Sequence, residues 1–188
     1  MFDLIKERTP SIVRAFILLI SKLDMELLAN GGLKMERKIR NSAKALIIKE
    51  GKMLAIKLDD HGDVFYIMPG GDQNAGETLA EAVKREVAEE IGVDVEPLSL
   101  EFVIEGVYGE AFHRVDLVFL CEYVGSIDNS VLQDDKNQTR YEWLDINNIT
   151  KEPLYPSKLR KQILRLSKGE KTEMYLGNEE PGLETLSV

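Results

Sequence analysis

The chain has 188 residues, enough for one domain with a substantial core. Its formal net charge of −9 argues against sequence-independent nucleic-acid binding, because no excess of basic residues exists to neutralise phosphates. The single cysteine, Cys121, excludes an internal disulfide and fits a reducing compartment, so we expect a cytoplasmic protein.

The first predicted element is an N-terminal helix, which forms a helical extension over residues 1–36. Thr9 and Pro10 suit its start, since proline is favoured at the first helical position, and a Gly-Gly pair suits its end. The longest apolar run in it is interrupted by an arginine and is too short to cross a bilayer, which takes about 20 residues. We therefore expect no membrane partner. The sequence leaves open whether this helix packs on its own domain or on a second subunit in a homodimer.

The second group of predicted elements is a set of strands. β-rich runs flank residues 50–52, a pattern typical of a hairpin, and residues 46–48 are continuously apolar, as in a strand buried on both faces. Residues 64–67 form a further predicted strand. Of its aromatic pair, Phe65 and Tyr66, one is expected in the core, while the other either stacks on a base or simply packs.

The most informative stretch, which we call the central segment, covers residues 68–93. Gly70 and Gly71 open it and permit close approach of other groups to the backbone. Strong helix formers follow from residue 78 to residue 91. Thr78 with a glutamate three residues later predicts a capping box, and Gly92 predicts the helix end. An apolar stripe on this helix should pack on a sheet, and it comprises Ala80, Val83, Val87 and Ile91.

A second face of the predicted helix carries Glu86, Glu89 and Glu90 at positions i, i+3 and i+4. Three carboxylates on one face repel each other, and an ordinary solvated helix would intersperse lysines. Clustered oxygen ligands are what Mg²⁺ or Mn²⁺ prefers. A merely exposed acidic face is the simpler explanation for such a run alone. The fixed spacing to the surrounding residues favours a metal site, and those residues are Gly71, Glu77, Arg85 and Gly92.

Further strands are predicted after the central segment, at residues 98–108, 115–123 and 140–144. Cys121 lies in one of these apolar runs, which predicts a buried structural thiol. A helix is predicted to follow Tyr155, with Ser157 or the preceding turn as its cap. We place the main domain at residues 37–168 and expect residues 169–188 to form a loosely held acidic tail that docks only on finding a partner.

The central segment resembles the Nudix box of the Nudix hydrolases and matches it at every defining position. The resemblance implies a Nudix fold, an α/β/α sandwich with a mixed sheet in the α/β class. It also implies hydrolysis of the pyrophosphate linkage in a nucleoside diphosphate derivative, dependent on Mg²⁺ with Mn²⁺ as a substitute. By the same resemblance Glu86, Glu89 and Glu90 ligate the metal, with the Gly70 carbonyl as an additional ligand.

Catalytic roles implied by this resemblance fall on Glu86, Glu89 and Arg85. Glu86 or Glu89 would serve as general base, and Arg85 would hold the glutamates through bidentate contacts. Gly71, Glu77 and Gly92 would shape the loop. Bases outside the box are common in this family, and the candidates here are Glu142, Asp134 and Asp135. The sequence does not rank them.

Substrate identity is left open by the sequence. ADP-ribose-specific members of the family often carry a proline some way beyond the box, and its absence between Pro97 and Pro153 argues against ADP-ribose. Tyr108 lies near the position of a tyrosine found in members that cleave dinucleoside polyphosphates. Two other classes stay open, a catalytically weak Nudix-fold sensor that binds a nucleotide and an assembly protein that interacts through its N-terminal helix.

Overall fold

A mixed β-sheet lies at the centre of the computed structural model, which describes residues 38–60, 62–107, 113–127 and 140–179. Within these ranges the sheet has nine strands, and two α-helices and one 3₁₀ helix accompany it. The predicted N-terminal helix lies outside the described residues. The elements in chain order are β1 (Ile39–Lys49), β2 (Lys52–Asp60), β3 (Asp63–Ile67), β4 (Gly70–Asp72), α1 (Leu79–Ile91), β5 (Val93–Gly106), β6 (His113–Ser126), β7 (Arg140–Asp145), the 3₁₀ helix (Ile146–Asn148), β8 (Leu154–Tyr155), α2 (Leu159–Ser167) and β9 (Tyr175–Asn178).

Strand β1 is the central strand, and its neighbours position the central segment. The order across the sheet is β8-β3-β2-β1-β6-β5-β9, with β4 paired to β1 and β7 paired to β2. β1 and β6 run parallel, with Ser42 opposite Asp116. β4 runs antiparallel to β1 and places Gly70 opposite Lys44. The glycine pair of the central segment is therefore held against the middle of the sheet, although the sequence predicts only a loop there.

The core has two parts, one on each face of the sheet. On one face α1 buries Val83, Val87 and Ile91 against a layer that includes Ala45 and Ile47 of β1. On the other face α2 and the 3₁₀ helix pack on a second layer, in which the largest fully buried side chains include Leu46, Phe102, Leu159 and Ile163. Helices on both faces of one mixed sheet confirm the predicted α/β/α sandwich.

Helix α1 begins and ends where its sequence predicts. Thr78 caps it through the Glu81 backbone N–H at 3.2 Å, while the Glu81 carboxylate accepts the Thr78 N–H at 2.8 Å. Gly92 closes it in the left-handed conformation, with φ at 63°. The predicted apolar stripe needs one correction, since Ala80 is exposed and Ala82 is buried. Ala80 has helical spacing with Val83, but it lies in the first turn of α1, which begins at Leu79.

Residues 169–179 belong to the segment for which the sequence predicts a loosely held tail, and here the structure differs. β9 adds to the sheet edge in parallel with β5. The Lys158 ammonium donates to the Leu176 and Asn178 carbonyls at 3.2 and 2.6 Å. Ser157 does not cap α2 through its side chain, because its hydroxyl and backbone N–H both donate to the Glu179 carboxylate at 2.6 and 2.7 Å.

The structure also bears on the predicted hairpin and on the predicted buried thiol. The hairpin around residues 50–52 is confirmed by the antiparallel pairing of β1 and β2. Cys121 is a buried free thiol, and burial raises its pKa to about 12, so it stays protonated and unreactive at neutral pH. Over the described ranges, the structure contains no helix of the length and apolarity that a bilayer crossing requires.

Candidate active site

The Gly-Gly pair brings the central segment to the sheet more closely than other residues would allow. Gly70 has φ at 121°, and a Cβ there would overlap the backbone carbonyl of Ala43 on β1. A Cβ on Gly71 would overlap the Glu86 carboxylate. The bare surface of Gly71 is thus a cradle for the Glu86 carboxylate, which lies against β4.

Arg85 connects four parts of the site. Its Nε and Nη2 donate to the two oxygens of Glu77 at 2.7 and 2.9 Å. Its Nη1 donates to Glu86 Oε1 at 2.6 Å and to Glu89 Oε2 at 3.1 Å. Nη2 also donates to the Asp72 carbonyl at 2.9 Å. One guanidinium therefore orients two of the three predicted metal-ligating glutamates and joins helix α1 to the preceding loop.

Glu77 anchors that loop. The bidentate bonds from Arg85, followed by the Asn74 backbone N–H at 3.0 Å, lower the pKa of Glu77 to about 2. The same interactions hold the pKa of Arg85 above its ordinary value, with the bonds to Glu77 and then Glu86 as the main causes. Glu77 thus stays ionised throughout the physiological range, and the ion pair persists.

The three glutamates of the second helix face have different surroundings. The Glu86 side chain is 18% exposed in its cradle, whereas that of Glu89 is 61% exposed. Glu90 accepts the Gly70 backbone N–H at 2.8 Å. Burial raises the pKa of Glu90, and the like charges of Glu86 and Glu89 add to this effect. A cation bound nearby would favour the ionised form of Glu90.

The donor set fits the divalent ion that the resemblance implies. Three carboxylates stand within two turns of one helix, and the Gly71 cradle keeps Glu86 beside the backbone of β4. Across the described residues, no three side chains of Asp, Glu, His or Cys already converge as a complete ligand group. The three carboxylates do not converge because each accepts a hydrogen bond from another group. Glu86 and Glu89 accept from Arg85, and Glu90 accepts from the Gly70 N–H. Hard oxygen donors of this kind suit Mg²⁺ or Mn²⁺.

Charged residues on β1 and β6 border the site, and the sequence analysis singled out neither Lys44 nor Asp116. The Lys44 ammonium donates a hydrogen bond to the Gly70 carbonyl, the atom predicted as an additional metal ligand. Asp116 is only 2% exposed, and its Oδ2 lies 3.0 Å from Arg114 Nε. The available signal was a single charge within each of two apolar strand runs, at Lys44 and at Asp116.

Of the three candidates for a general base outside the central segment, only Glu142 lies within the described residues. Glu142 accepts hydrogen bonds from Lys57 Nζ at 2.8 Å and Tyr66 Oη at 2.9 Å, and these contacts lower its pKa. A carboxylate held in this way is a weak proton acceptor. Asp134, Asp135 and Tyr108 lie outside the described residues. Of the aromatic pair on β3, Tyr66 is in the core, while Phe65 makes an edge contact with Tyr155.

Comparison with known proteins gives one family and one fold. The family model for the NUDIX domain matches residues 38–166. The ADP-ribose pyrophosphatase of Methanocaldococcus jannaschii is 30% identical over 130 residues, which cover 66% of this chain and 72% of that protein.

Solved structures show the same architecture. A MutT protein from Bacillus halodurans has a TM-score of 0.59 and 19% identity, and the match covers 79% of this chain and 95% of that one. An ADP-ribose pyrophosphatase from Streptococcus suis has a TM-score of 0.53 and 21% identity, covering 72% and 97%. At these identities the likeness concerns the fold.

Proposed function

The chain belongs to the NUDIX family and is a Nudix-type pyrophosphohydrolase, and we propose that it hydrolyses the pyrophosphate linkage of a nucleoside diphosphate derivative. The observation that carries this proposal is the arrangement around Arg85, which orients Glu86 and Glu89 beside the Gly71 cradle while Glu90 bonds the adjacent backbone. Carboxylates that one guanidinium orients beside a closely packed glycine pair offer oxygen ligands to a divalent cation, and such a cation also binds the phosphates of a substrate.

We propose that Glu86, Glu89 and Glu90 hold Mg²⁺, with Mn²⁺ as a substitute. When bound, the ion supplies positive charge to the phosphate oxygens and to the attacking water. The Gly70 carbonyl stays in this ligand set, because a carbonyl oxygen has two lone pairs and the hydrogen bond from Lys44 uses one of them.

The side chains of the site have distinct roles in this proposal. Glu89 is the most exposed of the three carboxylates, so we assign it the role of accepting the proton from the attacking water. Arg85 is a positioning residue that fixes the direction of Glu86 and Glu89. Glu77 keeps Arg85 in place through its two bonds.

ADP-ribose is the first substrate to test within the proposed class. The relative from M. jannaschii is an ADP-ribose pyrophosphatase, and it is similar to this chain over 130 residues. The missing proline beyond the central segment points away from ADP-ribose. The two indications conflict, so the experiment needs a panel that also contains nucleotide sugars, dinucleoside polyphosphates and nucleoside triphosphates.

The test is nucleotide and phosphate release across that panel with Mg²⁺ and with Mn²⁺. Glu86→Gln is the inactive reference, and Glu122→Gln, at an exposed position on β6, is the matched control. We expect one substrate class to be cleaved by the unaltered protein and by the control but not by Glu86→Gln. Metal binding without hydrolysis of any member would contradict the proposal and favour a nucleotide-binding sensor.

A further inference from the structure

The segment after helix α2 makes contacts that the proposed site does not require. We call residues 173–179, which contain β9, the strap. The family match ends at residue 166, so the strap lies beyond the part of the chain that the family model covers. It pairs in parallel with β5, where Asn178 lies opposite Glu105.

The strap connects the two ends of the strand order. β8 is the first strand in that order and β9 is the last. Ser157, two residues beyond β8, donates through its hydroxyl and its backbone N–H to the Glu179 carboxylate. The Lys158 ammonium donates to two carbonyls of the strap. Polar contacts of the strap therefore hold the start of α2, which follows one edge strand, next to the opposite edge of the sheet.

The strap also bonds to β5 near the end of that strand. The Val103 N–H donates to the Met174 carbonyl at 2.7 Å. The Val107 N–H, just after β5, donates to Asn178 Oδ1 at 2.8 Å. Two backbone groups of the β5 region thus depend on the strap for their hydrogen-bond partners.

The end of β5 is in line with the strand that carries the glycine pair. The Glu105 carbonyl accepts the Glu179 N–H at 2.7 Å, and Glu105 lies opposite Val115 of β6. Val115 lies opposite Asn41 of β1, whose carbonyl accepts the N–H of Gln73, the residue after β4. One row across the sheet therefore runs from the strap to the end of β4.

Apolar packing contributes little to the attachment of the strap. Residues 173–175 are exposed and residues 176–179 are only partly buried, although Leu176 packs against the core layer beneath α2. The preceding linker, residues 167–171, is exposed and contains Gly169 at a positive φ of 68°. Few buried apolar contacts and peripheral hydrogen bonds are typical of a segment that opens at low free energy.

We propose that the strap is a detachable element that opens as one unit at this linker while the two-layer core stays folded. In its closed position it keeps the end of β5 in line with β4. Opening breaks the bonds to Val103, Val107 and Ser157 together, because all three acceptors lie within residues 174–179. β5 then becomes the edge strand of the sheet.

Native-state amide hydrogen exchange, followed residue by residue by NMR, tests the opening. We expect the N–H groups of Val103, Val107 and Ser157 to share one level of protection. It should be about 100-fold lower than that of the buried Ala45 N–H, which donates to the Pro69 carbonyl.

A pair of matched variants tests whether the strap opens as a unit. Glu179→Gln should speed exchange at all three N–H groups by about tenfold, because the bonds from Ser157 lose their charge assistance. Glu173→Gln, at an exposed position of the same strap, should leave exchange unchanged. Protection equal to that of Ala45, or three unequal responses to Glu179→Gln, would overturn the proposal.

A variant that ends at residue 172 tests the effect on the neighbouring strands, with a variant that ends at residue 180 as the control. We expect both to keep a cooperative thermal transition. Only the shorter one should show faster exchange, by about tenfold, at the His113 N–H, which donates to the Lys38 carbonyl beside β1. Loss of the transition in the shorter variant, or unchanged exchange at His113, would refute the role given to the strap.

These measurements need neither substrate nor metal. Failure of the proposed hydrolysis would leave their outcome unaffected, and failure of the inference about the strap would leave the assignment of the glutamates unaffected.

Discussion

At the residue scale, the active site depends on the interactions that orient its carboxylates. Arg85 makes two bonds to Glu77 and one each to Glu86, Glu89 and the Asp72 carbonyl. Charge-assisted bonds of this kind are stronger than neutral ones, and the planar guanidinium determines direction as well as distance. The helix thus presents its glutamates in a defined arrangement despite their mutual repulsion.

The first prediction concerns Glu89→Gln. This change removes the charge of the most exposed glutamate of the site while keeping its size. Because electrostatic stabilisation by a metal ion is worth several kcal/mol, we expect kcat to fall by a factor of about 10² or more. Thermal unfolding without metal should stay within a few degrees of the unaltered protein. Unchanged turnover would remove Glu89 from the proposed mechanism.

The second prediction concerns pH and Glu77. The pKa of Glu77 is about 2 in the folded protein, below its ordinary value of 4.5, so folding favours the ionised form. Its contribution to stability is therefore complete above about pH 4.5 and is lost as the pH falls toward 2. In Glu77→Gln this contribution is missing at every pH. The difference in unfolding free energy between the two proteins should be widest near neutrality and should narrow below pH 4.5.

Urea unfolding at a series of pH values measures that difference. Glu122→Gln serves as the control, because Glu122 is exposed on β6 and should show no comparable narrowing. A gap between Glu77→Gln and the unaltered protein that stays constant from neutral pH to pH 2 would contradict the assigned interaction.

At the scale of elements, the pairing of β4 with β1 sets the relation between the glycine pair and helix α1. Residues 70–72 pair with residues 42–44, and Glu90 of α1 accepts the Gly70 N–H. The helix, the short strand and the central strand of the sheet therefore meet at two adjacent glycines, which have different tasks. Gly70 allows the backbones to approach, and Gly71 leaves room for a carboxylate.

The third prediction separates these two tasks. In Gly70→Ala the Cβ meets the backbone of β1 at a positive φ, so we expect a loss of about 1–3 kcal/mol in unfolding free energy from backbone strain alone. In Gly71→Ala the three atoms nearest to the Cβ all belong to the movable Glu86 carboxylate, so stability should change little. Because the new Cβ displaces the Glu86 carboxylate, we expect the turnover of Gly71→Ala to fall by a factor of about 10².

Unfolding in urea and steady-state kinetics distinguish the two variants. Gly76→Ala is a suitable control, since Gly76 has a positive φ but open space around its Cα. The idea of separate tasks would be refuted by a Gly71→Ala variant that loses stability but retains turnover.

At the scale of the whole molecule, the described sheet and helices already bring every residue of the proposed site together. β1 begins at Ile39, and the family match begins at residue 38. The N-terminal extension of residues 1–36 precedes both. A homodimer through the predicted N-terminal helix remains a prediction, as does the cytoplasmic location.

The fourth prediction concerns a variant that lacks residues 1–36. We expect it to fold with a cooperative thermal transition and to hydrolyse the same substrates, because the two-sided core and the site are built from later residues. If the extension forms a dimer interface, light scattering should show a dimer for the full chain and a monomer for the variant. Loss of the thermal transition would show that the extension belongs to the core.

The bounds of the helix that carries the proposed site could be predicted from the sequence. Capping by Thr78 and Glu81 and termination at Gly92 depend on neighbours within a few residues, so spacing alone predicts them. The face shared by Glu86, Glu89 and Glu90 follows from helical periodicity. A complete local motif also carried the resemblance that implied the fold.

Other features were decided only by the tertiary structure. The contact between Lys44 and the Gly70 carbonyl joins residues 26 positions apart, and the burial of Asp116 depends on the parallel pairing of β1 with β6. The same holds for the addition of β9 to β5 and for the bonds between Ser157 and Glu179. Pairing register between distant strands depends on the packing of the whole sheet, and no local spacing in the sequence specifies it.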